Sequence, residues 1–239
     1  MNCEESSHKN HETTPGADEA KALFVPLGDR AMLVRFGDHL EEKINQRAVH
    51  TARIIENANI PGVLEVSPTL VSVLVRYDPK NLKYMQLCEH IRMVLADLGH
   101  SVPSKVNRFR IPVKYGGALG PDLEESAAGC SLSVNEFIKA HNNAKLHVLA
   151  TGFAPGFIYC GLHRPHLHIP RRTKLHTKVA PGSVLFAAGQ TAITATSVPT
   201  GWNVIGHTDF SNFNPAEDPP TKLRPGDEIS FVSDGAEGE

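Results

Sequence analysis

The chain has 239 residues, 41% of them hydrophobic and 21% charged, with a net charge of -2 at pH 7. That length suits one large domain or two small ones. No basic stripe marks a nucleic-acid partner, and the apolar runs fall short of the roughly 20 residues that a membrane span needs.

Residues 1–22 are polar and acidic, with Glu4, Glu5, Glu12, Asp18 and Glu19. They lack a basic region followed by an apolar core, and they are poor in arginine. A disordered tail is expected there rather than a secretory or mitochondrial leader. Leu23–Val25 and Ala31–Phe36 read as strands joined by a turn at Gly28-Asp29. Glu41–Ala58 reads as a helix whose apolar face carries Ile44, Ala48, Ala52 and Ile55. Val63–Val66 and Leu70–Tyr77 read as strands, and the alternation of Val71, Val73, Val75 and Tyr77 gives the second a fully apolar face. Asn81 is placed to cap a second helix with a stripe of Leu87, Cys88, Ile91, Leu95 and Leu98, closed by Gly99. This β-β-α-β-β-α order predicts an N-terminal α+β domain over residues 23–102.

Gly99–Asn107 reads as a linker. Beyond it, Phe109, Ile111 and Val113 alternate around Pro112, an edge-strand pattern. Asp122–Ala128 reads as a short helix, and Ser133-x-x-Glu136 is a capping box opening another over Val134–Asn142. From Leu146 onward short strands and turns predict a β-barrel or sandwich, ending with Glu228–Val232 after the Arg224-Pro225-Gly226-Asp227 turn. The second domain is thus expected over residues 103–233, with a disordered tail over 234–239.

The four cysteines, Cys3, Cys88, Cys130 and Cys160, form no C-x-x-C pair and read as reduced thiols of a cytoplasmic protein. There is no phosphate-binding G-x-x-x-x-G-K-[ST] loop, no G-x-S-x-G and no H-E-x-x-H. His163, His166, His168 and His176 cluster in sequence, but no carboxylate or cysteine stands at ligand spacing, so an exposed histidine-rich loop is expected and no metal. The unusual residues crowd between Thr151 and Asp209. Arg171 and Arg172 form a fork suited to a carboxylate or phosphate. Gln190 and Thr191 offer an amide and a hydroxyl that either read a small polar ligand or satisfy backbone at a bulge. Trp202 either walls a pocket or plugs the core. His207 is a further candidate, although a structural histidine is expected after Gly206.

In order along the chain, Leu27-Gly28-Asp29, Tyr77-Asp78-Pro79, Ile111-Pro112-Val113-x-Tyr115-Gly116-Gly117 and Gly120-Pro121-Asp122-Leu123 come first. Then follow Gly152-Phe153-x-Pro155-Gly156-Phe157-x-Tyr159, Pro170-Arg171-Arg172, Gly182-Ser183-Val184, Gly189-Gln190-Thr191, Gly201-Trp202-Asn203-x-Ile205-Gly206-x-Thr208 and Pro225-Gly226-Asp227. As an ordered set these motifs resemble the KipI/allophanate hydrolase subunit 1 (carboxyltransferase C-D) family, over about Leu23 to Val232. The resemblance implies an α+β fold, with an N-terminal α+β domain followed by a cyclophilin-like β-barrel. It implies the function of the B subunit of a 5-oxoprolinase: a component that binds no cofactor alone and serves an ATP-dependent complex opening 5-oxoproline to glutamate. Its implied partners are a homologous C-type subunit, like allophanate hydrolase subunit 2, and an A-type subunit. The family also holds KipI-like inhibitors of sensor kinases and the carboxyltransferase half-site of urea carboxylase, two alternative roles. Phe153 and Pro155 join Arg171, Arg172, Gln190, Thr191, Trp202 and His207 as implied substrate-binding residues. Where the family carries Pro-Arg after the arginine pair, this chain has Leu175-His176, and Ala192-Ile193-Thr194 replaces its Gly-x-Tyr.

Overall fold

The structure is a computed structural model that describes residues 22–96 and 106–234. The expected tails fall almost wholly outside these residues, as do the closing Gly99 and most of the expected linker. Cys3 lies outside them too.

The first unit begins with strands β1 (Leu23–Leu27) and β2 (Ala31–Arg35), then helix α1 (Glu42–Asn57). Strands β3 (Val63–Pro68) and β4 (Ser72–Tyr77) and helix α2 (Tyr84–Ala96) complete it. The antiparallel sheet has the order β1-β2-β4-β3. Its inner face supplies Met32, Val34, Val73, Val75 and Tyr77 to a core shared with Ala48, Ala52 and Ile55 of α1 and Leu87, Cys88 and Ile91 of α2. The period-2 and period-3.6 patterns therefore meet, as amphipathic elements must. Asn81 does not cap α2. Its side-chain amide donates to Asp78 Oδ2 at 2.7 Å, and the helix starts three residues later at Tyr84, just after Lys83, whose backbone amide donates to Gln86 Oε1 at 3.0 Å.

The second unit opens with β5 (Arg108–Tyr115), α3 (Leu123–Gly129) and α4 (Val134–Asn142). Both halves of the capping box between Ser133 and Glu136 form at the start of α4. Then come β6 (Leu146–Thr151), β7 (Ile158–Gly161), β8 (His176–Val179), β9 (Ser183–Ala187) and β10 (Gln190–Ile193). Last are β11 (Val198–Thr200), β12 (Asn203–His207) and β13 (Glu228–Ser233). Seven strands close into a barrel in the order β10-β7-β6-β13-β5-β12-β9, and β8 and β11 form a separate ribbon. The fold is α+β with a closed barrel.

Strand β5 is not an edge. It pairs in parallel with β13 along Arg108–Val113, while β12 joins its other side only at Lys114 and Tyr115. Pro112 is tolerated because the β12 ladder begins after it, so its missing N–H leaves no gap there. Ile111, Val113, Leu146, Val148, Ile158, Val184, Phe186, Ile205, Ile229 and Phe231 fill the barrel. Helix α4 closes one mouth: its buried His141 lies against Phe186 and Phe231, inward residues of β9 and β13.

Helix α1 also touches the barrel. Asn45, 2% exposed, donates to Leu70 O at 3.0 Å and Leu149 O at 2.9 Å, and Arg53 donates to Pro225 O at 2.7 Å.

Candidate functional site

Strand alternation sorts the block from Thr151 to Asp209 onto two faces. Ile158, Cys160, Val184, Phe186, Ile193 and Ile205 point into the barrel. Phe157, Leu185, Ala187, Ala192 and Val204 point outward, where Trp202, Val179 and Val198 join them in a second apolar cluster with Tyr159 against it. Across this outer face runs a ladder of rings. Phe153 lies 5.5 Å from Phe157, Phe157 4.8 Å from Tyr159, and Tyr159 5.9 Å from Trp202, centroid to centroid. The Arg171 guanidinium caps the ladder, 5.6 Å from the Trp202 ring centre.

The β6–β7 turn that carries Phe153 and Pro155 needs its glycines. Gly156 sits at φ 73°, and a side chain there would press into Phe213 and Ala195. Phe153 itself has φ 73° and is 70% exposed, and Pro155 beside it is exposed. Leu175, 64% exposed, leans on Gly201 next to Trp202. Gln190 is half-buried on the same outer face, against Gly161 and two residues along β10 from Ala192, which pairs with Tyr159. Its amide has no hydrogen-bonding partner among the described residues. Burial raises the Tyr159 hydroxyl above the ordinary tyrosine range, and the nearby Arg171 charge works against that rise. The face thus offers a cation, an amide, a phenol and stacked rings. Such a set can hold a small molecule with a carboxylate, an amide and an apolar rim.

Arg172 goes elsewhere. It forms an ion pair with Asp122 and lies 3.4 Å from Glu125, and its amide donates to Gly201 O at 2.7 Å. Asp122, 5% exposed, also receives His176 Nε2 at 2.7 Å and the Val204 amide at 2.8 Å. His176 thus stands as the second basic group on this carboxylate, where the resemblance implies an arginine. Together they pin the 171–176 segment, and so Arg171, over the ladder.

Thr191 is fully buried inside the barrel, where its hydroxyl lies 2.8 Å from both His141 Nε2 and His163 Nε2. It cannot touch a ligand on the outer face. His207 sits at the far end of β12, its Nε2 3.0 Å from Pro181 O, and is not brought to the ladder. The histidine segment is not a simple exposed loop. His163 is 4% exposed and His176 is held by Asp122, while His166 faces solvent. Burial holds His141 well below the usual histidine range and pushes His163 down to about 4. Burial also raises the Cys160 thiol, which is fully enclosed, so it does not present a ready thiolate. No group of three or more metal-ligating side chains gathers among the described residues. No described helix is long and apolar enough to cross a membrane.

Tyr159 escaped sequence reasoning as a site residue, although its i+2 spacing from Phe157 puts both on one face. Asp122 left no local signal, because its side-chain partners lie 50 and 54 residues away.

Residues 22–223 match the family described as the carboxyltransferase domain, subdomain C and D. The chain belongs to that family. Its carboxyltransferase-domain relatives include the B subunit of 5-oxoprolinase from Bacillus subtilis (strain 168), 38% identical over 217 residues that make up 86% of this chain and 90% of the relative. Another is the 5-oxoprolinase B subunit of Escherichia coli O157:H7, 38% identical over 177 residues, 73% of this chain and 79% of the relative. Among solved structures, TTHA0988 aligns with a TM-score of 0.74 and 31% identity over 88% of this chain. This chain spans only 40% of that larger one. Kluyveromyces lactis urea carboxylase shares the fold, with a TM-score of 0.72 at 18% identity over 92% of this chain and 22% of its own.

Proposed function

We propose that this chain is the non-ATP-binding, B-type subunit of an ATP-dependent 5-oxoprolinase-type complex in the cytoplasm. The complex would convert 5-oxoproline, ATP and water to glutamate, with this chain active only beside its partners. The observation that carries the reading is the 38% identity to the Bacillus subtilis 5-oxoprolinase B subunit along 86% of this chain and 90% of that one. The chemistry of the outer face fits the substrate. 5-Oxoproline has one carboxylate, one lactam amide and a small apolar ring edge. Arg171 suits the carboxylate, Gln190 the amide, and the Tyr159–Trp202 rings the methylene edge.

The face is open, and an open site binds small polar molecules weakly because water competes for every hydrogen bond. A C-type partner seated over Phe153 and Leu175 would bury two large exposed apolar side chains and dry the site. ATP would then be handled by the assembled complex, including an A-type subunit.

The test is reconstitution of this chain with candidate A-type and C-type subunits, followed by 5-oxoproline-dependent ATP hydrolysis. Activity that requires this chain and falls roughly 10- to 100-fold in kcat/KM with Arg171→Ala supports the reading. An assembled complex without 5-oxoproline-dependent turnover overturns it. Wild-type turnover in the Arg171→Ala complex removes the outer face as the substrate site.

A further inference from the structure

A pocket of about 310 Å3 opens between α3 and residues 169–174, on the side of β12 away from the ring ladder. Trp202 faces the ladder. Asn203, the next residue, pairs with Phe186, an inward residue of β9, and so shares its side of the sheet. Asn203 lines the pocket, as does Ile169 from the barrel's own core cluster. The pocket and the ladder therefore lie on opposite sides of the sheet. Arg171 stands at their boundary, lining the first and capping the second.

Two polar atoms on largely buried side chains stay open here. Asn203 is 5% exposed. Its side-chain nitrogen is spent on Phe186 O at 3.0 Å and Pro170 O at 3.5 Å. Its Oδ1 has no hydrogen-bond partner among the described residues, and it is not one of the enclosed orphans, which belong to Thr51, His163 and His207. The small surface that Asn203 keeps therefore includes this oxygen, and the pocket is where that surface lies. Arg172, whose side chain is 20% exposed, follows the same logic. Its Nη1 serves Asp122 and Glu125, and its Nε serves the Lys174 carbonyl at 3.3 Å. That leaves Nη2 as an open donor. Both side chains line the one cavity.

These two atoms dictate the ligand. In solution water satisfies both, so a ligand gains by displacing it only when it replaces both hydrogen bonds. A bare carboxylate sets its lone pairs against the Asn203 oxygen and fails half of that test. A cis-amide edge, as in a lactam, presents N–H and C=O side by side and meets it. Charge adds a second condition. Arg172 is matched by Asp122, which leaves Arg171 and Lys174 against Glu125 around the opening, an excess of positive charge.

We propose that this pocket is a second ligand site, for a small cyclic amide that carries a carboxylate. Asn203 Oδ1 accepts its N–H, Arg172 Nη2 donates to its C=O, and Lys174 attracts the carboxylate. The proposal rests on the 5-oxoprolinase-type reading only for its choice of probe.

The test is calorimetric titration of the full chain with three compounds. These are 5-oxoproline, its N-methyl derivative, which lacks the N–H, and cyclopentanecarboxylate, which keeps ring and charge without the amide. The side-chain amide signals of Asn203 are followed by NMR. 5-Oxoproline is expected to bind roughly tenfold or more tighter than either analogue and to move the Asn203 signals. Lys174→Ala, a change at an exposed side chain, should weaken it roughly 3- to 5-fold. In Asn203→Leu the preference for 5-oxoproline over its N-methyl derivative should vanish. Where that variant fails to fold for want of its bond to Phe186 O, the Asn203 signals of the unaltered chain decide. No binding of 5-oxoproline at concentrations well above a Kd of about 1 mM overturns the proposal. So does equal binding of the N-methyl derivative, an Asn203 signal that does not move, or indifference to Lys174→Ala. Binding that passes these tests, in a chain whose assembled complex shows no turnover, sinks the proposed function and leaves the pocket. Turnover that needs this chain, with the pocket tests failed, does the reverse.

Discussion

Removing the Arg172 side chain would leave the buried Asp122 with only His176 and the Val204 amide. Arg172→Ala is therefore expected to cost about 1–3 kcal/mol, read from urea denaturation, as for a buried acceptor losing a charged partner. Arg171→Ala loses only an exposed cation–ring contact, worth roughly 0.5–1 kcal/mol. A stability loss for Arg171 equal to that for Arg172 would show that both are structural. Trp202 is 6% exposed within the outer cluster, so Trp202→Ala should destabilise the barrel by about 3–5 kcal/mol. A near-normal melting temperature with lost ligand binding would instead make the indole a pocket wall. The sequence marks the arginine pair as one unit because the two residues adjoin. It cannot show that successive side chains leave a strand-like segment in opposite directions, one to an acid and one to a ring.

At the scale of elements, the two buried histidines couple α4, β10 and the segment after β7. In the fold they stay neutral, and in the unfolded chain they take up a proton near pH 6.5. Between that value and about 4, the folded value for His163, the unfolded chain holds more protons. Stability should therefore be full above pH 6.5 and fall as pH is lowered toward 4, by about 3 kcal/mol for His163 alone. Urea midpoints measured across this window check the sign; a flat profile would mean that these rings are not held neutral. Much at this scale was readable beforehand. The stripes of α1 and α2, the capping box of α4 and the alternation of β4 are local patterns with local causes. Pro112 misled about the strand as a whole: at Pro112 only the β13 flank is paired, and β12 takes the second flank from Lys114 onward. His141 was invisible, since one histidine on a short helix carries no mark of the three inward-facing strand residues it meets.

For the whole molecule, Asn45 is the clearest joint between the sheet unit and the barrel. It is buried on α1, yet it spends its amide on carbonyls of both units. Asn45→Ala should cost about 1–3 kcal/mol. It should also separate the thermal transitions of the two units in a calorimetric scan. A single unchanged transition would show that other contacts, Arg53 to Pro225 among them, suffice. The family's ordered motifs foretold both units and their order, but not this joint. The sequence shows Asn45 only as a polar residue beside an apolar stripe, with its most distant partner 104 residues away.

The parallel pairing of β5 with β13 has a consequence for how the chain is made. Residue 108 cannot find its neighbour until residue 228 has been synthesised. While the ribosome is still adding β6 to β12, both β5 and β6 present bare strand edges, the kind that recruit a stranger's strand. The first unit, whose described elements all precede β5, can fold meanwhile and shelter part of β6 beneath α1. The order of the two units along the gene then serves as a built-in guard during birth, with the earlier one shielding the later one until its last strand arrives.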